Sequence, residues 1–134
     1  MNQIRKLLVV DDEPHVPRVL KIKLESEGWQ VDIACNGAEA LALLETASQS
    51  NSLPDALITD MMMPVMDGRA LCHAIVERFP NRPFPIFVMT SLVERDVREW
   101  VEALGGITFL EKPVSPRKVL LALQRQCEPC NATI

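Results

Sequence analysis

Leu57-Ile58-Thr59-Asp60-Met61-Met62-Met63-Pro64-Val65-Met66-Asp67-Gly68 is the stretch from which the rest of the chain can be read. An apolar pair, Leu57 and Ile58, runs into a carboxylate, three methionines, a proline and an Asp-Gly. That order reads as a strand ending at Asp60 and a tight loop after it, because proline and Asp-Gly punctuate turns. A carboxylate in such a place is expected to be exposed at the rim of a sheet. Asp60 is therefore a candidate nucleophile. A phosphoryl acceptor here requires a metal site, a phosphate clamp and a readout from the other segments.

Leu7-Leu8-Val9-Val10 is a continuous apolar run of the kind buried on both faces of a sheet, and it stops at Asp11-Asp12-Glu13-Pro14. Val16, Val19, Leu20 and Leu24 then recur at helical spacing, with Pro14 and Pro17 tolerable near the first turn and Gly28 as the stop. Val31 and Ile33 alternate with polar neighbours in a second strand. Asn36-Gly37 turns the chain into a helix over 38–47, and Ser48 to Ser52 reads as a polar loop. The third strand is Ala56 to Asp60. Leu71, Cys72, Ile75 and Phe79 mark the next helix, Pro85 to Met89 a fourth strand ending at Thr90-Ser91, and Val93 to Leu104 a further helix. Ile107 to Leu110 is a fifth strand ending near Lys112-Pro113, and Ser115 caps a last helix from Pro116 to about Cys127.

Strands alternating with helices in this way imply a parallel sheet covered on both faces, an α/β doubly wound fold. In such folds ligands bind at the carboxyl ends of the strands. The chemical residues fall there: Asp11 and Asp12 after the first strand, Asp60 after the third, Thr90 and Ser91 after the fourth, Lys112 after the fifth. That coincidence is stronger than any one motif.

Composition bounds the partners. At 134 residues the chain has the length of one domain, with 48% hydrophobic and 24% charged residues. A net charge of -4 argues against direct nucleic-acid binding, which needs clustered Lys and Arg. No apolar run approaches the roughly 20 residues of a membrane span, and the N-terminus lacks a signal-peptide pattern, so a cytoplasmic protein without a membrane is expected. Cys35 and Cys72 are read as small buried hydrophobes, and Cys127-Glu128-Pro129-Cys130 as a tail without a second metal-binding pair. His15 and His73 are not catalytic candidates. Met61, Met62 and Met63 are read as loop packing, since no Cys or His completes a soft-metal site.

Over about residues 5–125 the chain resembles the receiver domain of bacterial two-component response regulators. The resemblance rests on Leu7 through Pro14, Asn36-Gly37-Ala38-Glu39-Ala40-Leu41, Asp60 through Gly68, Val88-Met89-Thr90-Ser91 and Lys112-Pro113, in that order. It implies a five-stranded flavodoxin-like sheet with helices on both faces, a single domain over 1–134 with 126–134 as a tail, and phosphorylation of Asp60 by a histidine kinase or phosphotransfer protein. It further implies that Asp12, Asp60 and the carbonyl of Met62 bind Mg²⁺, with Asp11 holding the ion through water. Thr90 and Lys112 would contact the phosphoryl oxygens, Phe109 would move with Thr90, and Lys112-Pro113 would be cis.

The chemistry of the residues agrees. Three carboxylates about 4 Å apart repel by roughly 4 kcal/mol per pair at an effective dielectric near 20, so they require a cation or a raised pKa. A hard divalent ion with oxygen ligands answers this, and Mg²⁺ keeps waters that a phosphoryl oxygen can replace. Charge developing on the transferred group is offset by the metal, the Lys112 ammonium and the Thr90 hydroxyl.

Several positions depart from the common family pattern. Met62 and Leu92, each two residues after a site residue, are apolar where side chains border the path of a hydrolytic water, which implies slow self-dephosphorylation. Phe109 lacks the hydroxyl of the Tyr also common there. Leu104 to Glu111 lacks the acidic pair of the winged-helix subgroup, so that subgroup's dimer is not assumed, and either a monomer or a phosphorylation-dependent dimer is expected. A downstream protein is expected on the face with Arg95, Arg98, Phe109 and Arg117, with Trp100 read as core packing. The start at Met1 and the absence of a clear linker in 126–134 favour a stand-alone receiver over a piece of a longer regulator. An aspartyl-phosphate hydrolase is the alternative enzyme class, but it would need a second Asp where Glu13 stands. A phosphorylation-independent interaction domain is the other alternative.

Overall fold

The computed structural model describes residues 5–81, 84–91, 99 and 104–127. Its elements are β1 (Arg5–Val10), α1 (His15–Ser26), β2 (Trp29–Ala34), α2 (Gly37–Gln49), β3 (Ala56–Asp60), α3 (Gly68–Arg78), β4 (Ile86–Thr90), β5 (Ile107–Glu111) and α4 (Pro116–Cys127). All strand pairs are parallel, in the order β2-β1-β3-β4-β5. The order changes direction between β1 and β3, so Asp11 and Asp60 flank the crevice at the topological switch point.

The period of two along β1 explains its unbroken apolar run. Leu8 and Val10 face one layer with Ala40, Leu41 and Leu44 of α2 and Leu71, Cys72 and Ile75 of α3. Leu7 and Val9 face the other, with Leu20 and Leu24 of α1 and Val119 and Leu123 of α4. A strand buried on both sides keeps no polar face. An ion pair between Arg78 and Glu45 joins α3 to α2 at the surface.

Local signals explain the helix ends. The Asn36 side chain accepts the Glu39 amide at 2.9 Å, Asp67 accepts that of Ala70 at 2.8 Å, and Ser115 accepts that of Lys118 at 3.1 Å. Each oxygen satisfies an amide that the first turn leaves without a helical partner. Gly28 closes α1 at φ +96, where a side chain would be strained.

Several expectations need correction. Val19 is exposed, because α1 turns Pro17, Leu20 and Leu24 inward and leaves position 19 beside that stripe. Cys35 is exposed where β2 has already ended, whereas Cys72 is fully buried in α3. The polar run after residue 47 is partly helical, since α2 continues to Gln49, and Ser50 and Ser52 both donate to Ala47 O. The helix expected over 93–104 lies outside the described residues except for Glu99 and Leu104, as do Leu92, Arg95, Arg98, Trp100 and the tail from 128. Among the described residues no helix is long and apolar enough to cross a membrane.

Candidate functional site

Parallel pairing brings the ends of β1, β3, β4 and β5 to one edge. Asp11 extends the ladder, its amide donating to Ala34 O at 3.1 Å, and Asp60 pairs with Met89, one residue before Thr90. Thr90 pairs with Glu111, and the Lys112 amide donates to Thr90 O at 2.8 Å. The peptide bond between Lys112 and Pro113 is cis.

The side chains converge on Asp60. Its Oδ1 accepts the Met61 amide at 2.9 Å and lies 2.6 Å from Lys112 Nζ. Carboxylate oxygens of Asp11, Asp12 and Asp60 lie within 4.8 Å of one another. Asp60 is not exposed at a rim, as expected from the sequence, but buried at 5% exposure. The long Lys112 side chain reaches it, and the amide at the start of the following loop donates to the same oxygen.

Asp11 carries the electrostatic tension of the group. Its Oδ1 accepts the Glu13 amide at 2.9 Å, while its Oδ2 is buried and, among the described residues, the one such side-chain oxygen without a hydrogen-bond partner. Burial pushes its carboxyl up to about 6, with the charges of Asp60 and Asp12 adding to the rise and the Glu13 amide and the Lys112 ammonium opposing it. Three carboxylates face one ammonium. A hard cation fits this donor set, since a water on the bound ion would supply the partner that Asp11 Oδ2 lacks and the ion would offset the surplus negative charge.

The other candidates are spread around this centre. Thr90 is buried at the end of β4. Met62 is 76% exposed on the loop after Asp60, so its backbone rather than its side chain is what the loop can offer. Phe109 is half-buried on β5 and packs against the layer formed by α2 and α3. Glu13, the position that would have to be an Asp in the hydrolase reading, is exposed.

Sequence reasoning missed three supports. Thr59 is fully buried and its hydroxyl donates to Asp60 O at 2.9 Å. Gly68 seats α3 against the end of β3: a Cβ there would lie 2.4 Å from Asp60 O, and its amide donates to Met61 O at 2.9 Å. The loop between them contains Val65 at φ 70, a conformation rare for a β-branched residue. Asp67-Gly68 gave a turn signal, but close backbone approach has no signature beyond the glycine itself.

A doubly wound parallel sheet with a buried, lysine-paired aspartate in an acidic cluster at its carboxyl edge fits a phosphoacceptor signalling domain. The family described as response regulator receiver domain matches residues 7–124, and the chain belongs to it. An uncharacterised 14.6 kDa protein of Leptolyngbya boryana is 35% identical over 90% of this chain and 88% of its own length. The alkaline phosphatase synthesis transcriptional regulatory protein PhoP of Bacillus subtilis is 36% identical over 86% of this chain, which spans 45% of that regulator. Among solved structures, the chemotaxis protein CheY4 of Vibrio cholerae superimposes with a TM-score of 0.80 at 30% identity, covering 92% of this chain and 99% of its own. Receiver domains are signalling domains rather than classical enzymes, and they work with histidine kinases or phosphotransfer proteins.

Proposed function

We propose that Asp60 receives a phosphoryl group from a phosphohistidine donor and that this charge gain resets the protein's contacts. The observation that carries the reading is that Asp60 sits at once within the acidic cluster and 2.6 Å from the Lys112 ammonium. The Asp60 carboxylate attacks phosphorus, the bond from phosphorus to the donor nitrogen breaks, and its electron pair stays on the imidazole. The carboxylate is the nucleophile in its ionised form, so the acceptor gives up no proton.

Asp11, Asp12, Asp60 and the Met62 carbonyl would hold Mg²⁺, with Asp11 acting through water, and the bound ion supplies charge neutralisation to the phosphoryl oxygens. Lys112, just past the end of β5, offsets the charge on those oxygens, and the Thr90 hydroxyl donates to them. Movement of Thr90 toward the modified Asp60 draws Phe109 with it, and the surface around Phe109 and Arg117 presents the result to a downstream protein. The chain is a single receiver domain with its core over about 5–125 and 126–134 as a tail.

The test is incubation with Mg²⁺ and a small acyl phosphate, read by intact mass, with beryllofluoride as a stable mimic read by Trp fluorescence. One phosphoryl group per chain, lost in Asp60→Asn, is the expected result. Modification that persists without Asp60, or none in the intact chain, would overturn the proposal.

A further inference from the structure

The loop that follows Asp60 is held in its shape from a distance. Met66 donates its amide to Pro64 O at 2.7 Å, which closes a three-residue turn around Val65 at φ 70. Turns of this kind with positive φ at the centre are rare and strained, and Val is a poor residue for them. The Val65 side chain is 83% exposed and does not lock the turn by packing. Such conformations persist only where the surroundings over-determine them.

Three restraints do so. Gly68 ties the far end of the loop to Met61 O, and Asp67 is committed to capping α3. The third comes from another element. The Gly37 amide, at the start of α2, donates to Met66 O at 3.2 Å. A Cβ on Gly37 would lie 2.7 Å from Met66 Cγ, 2.8 Å from Met66 O and 2.9 Å from Met66 Cβ. Two of these belong to the stem of the side chain and one to the backbone, so none can swing away cheaply. Helix propensity alone favours Ala over Gly at an ordinary helical position.

We propose that Gly37 is a positioning residue for the phosphoacceptor loop: its contact with Met66 holds the strained turn at Val65 and thereby fixes the segment carrying the Met62 carbonyl beside Asp60. The proposal rests on the reading of Asp60 and Met62 given above. Thermodynamic reciprocity then requires that a cation held by the loop strengthen the contact between Gly37 and Met66, as much as that contact strengthens the hold on the cation.

Two measurements test it. In the unaltered chain, amide exchange at Gly37 is followed by NMR without Mg²⁺ and at saturating Mg²⁺. Slower exchange at saturation is expected, and an unchanged rate overturns the inference. Gly37→Ala is then titrated with Mg²⁺ by Trp fluorescence and assayed with an acyl phosphate. A loss of about tenfold in Mg²⁺ affinity is expected, in the range found for residues that orient metal ligands. The phosphorylation rate should fall at limiting Mg²⁺ and recover at saturation, and Val65→Gly in the same chain should restore most of the affinity by removing the strain. A Gly37→Ala protein with a lower melting temperature but unchanged Mg²⁺ affinity shows a structural role only and overturns the proposal. If the unaltered chain neither binds Mg²⁺ nor is modified at Asp60, the parent reading fails instead.

Discussion

Replacing Asp11 by Asn should make the metal-free protein more stable at neutral pH, by an amount that grows with pH. The folded state holds the Asp11 carboxyl at about 6 against an ordinary 3.8, chiefly because it is buried. A folded-state value above the unfolded one means that ionisation opposes folding. The penalty is absent below the unfolded value, grows as pH rises between the two, and is complete above the folded one. About two pH units at 1.36 kcal/mol each give roughly 3 kcal/mol at pH 7.5, an upper figure because the unfolded chain and local relaxation absorb part of it. Asn keeps an oxygen for the Glu13 amide and puts a donor where Oδ2 now has no partner. The assay is urea unfolding of both proteins without Mg²⁺ from pH 4 to 8. The stability difference, variant minus parent, should rise from near zero at pH 4 to a plateau above pH 6.5. Added Mg²⁺ should stabilise the parent, following its occupancy of the site, and the variant much less. A difference that is flat with pH, or a variant less stable than the parent at pH 7.5, would refute the reasoning.

Lys112→Met removes the ammonium 2.6 Å from Asp60 Oδ1 and should slow phosphorylation by an acyl phosphate on the order of a hundredfold, the scale of losing one charge-stabilising donor; a rate within threefold of the parent in a stopped assay would show that Lys112 is not part of the clamp. Gly68→Ala forces a Cβ against Asp60 O and should cost about 1 to 3 kcal/mol in chemical unfolding, with phosphorylation impaired as well. The phosphorylated domain should lose its phosphoryl group slowly, over many minutes or longer, because Met62 offers no polar group to a hydrolytic water. Intact mass followed over time after removal of the donor checks this, and a half-life of seconds in the purified domain would contradict it.

The sheet was legible because its strands are short apolar runs bounded by carboxylates, glycines and prolines, and because chemical residues recur at their ends. Asp11, Asp12, Asp60 and Lys112 group together from the sequence alone, since a parallel sheet delivers all its carboxyl ends to one edge. The depth of the site was not legible. Asp60 reads as a rim residue in sequence, and its burial comes from long-range placements such as the course of Lys112 and the seating of α3 on Gly68. Val19 was misplaced because a valine beside a buried stripe has the same local pattern as one within it. Cys35 was misplaced because a thiol's burial depends on where β2 stops, to within one residue. The support from Gly37 links positions 37 and 66, and nothing in either local sequence points to the other.

Met62 and Val65 project into solvent while the backbone around them is tied down at Asp60, Met61, Met66 and Gly68. At Met62 the loop thus separates a backbone that must be held from a side chain that is free to vary. Substitutions at the Met62 side chain would then be expected to change how long a phosphoryl group lasts without disturbing the groups that accept it, whereas position 65 is bound to the shape of the turn. Duration would then be adjustable on a fixed chemical frame.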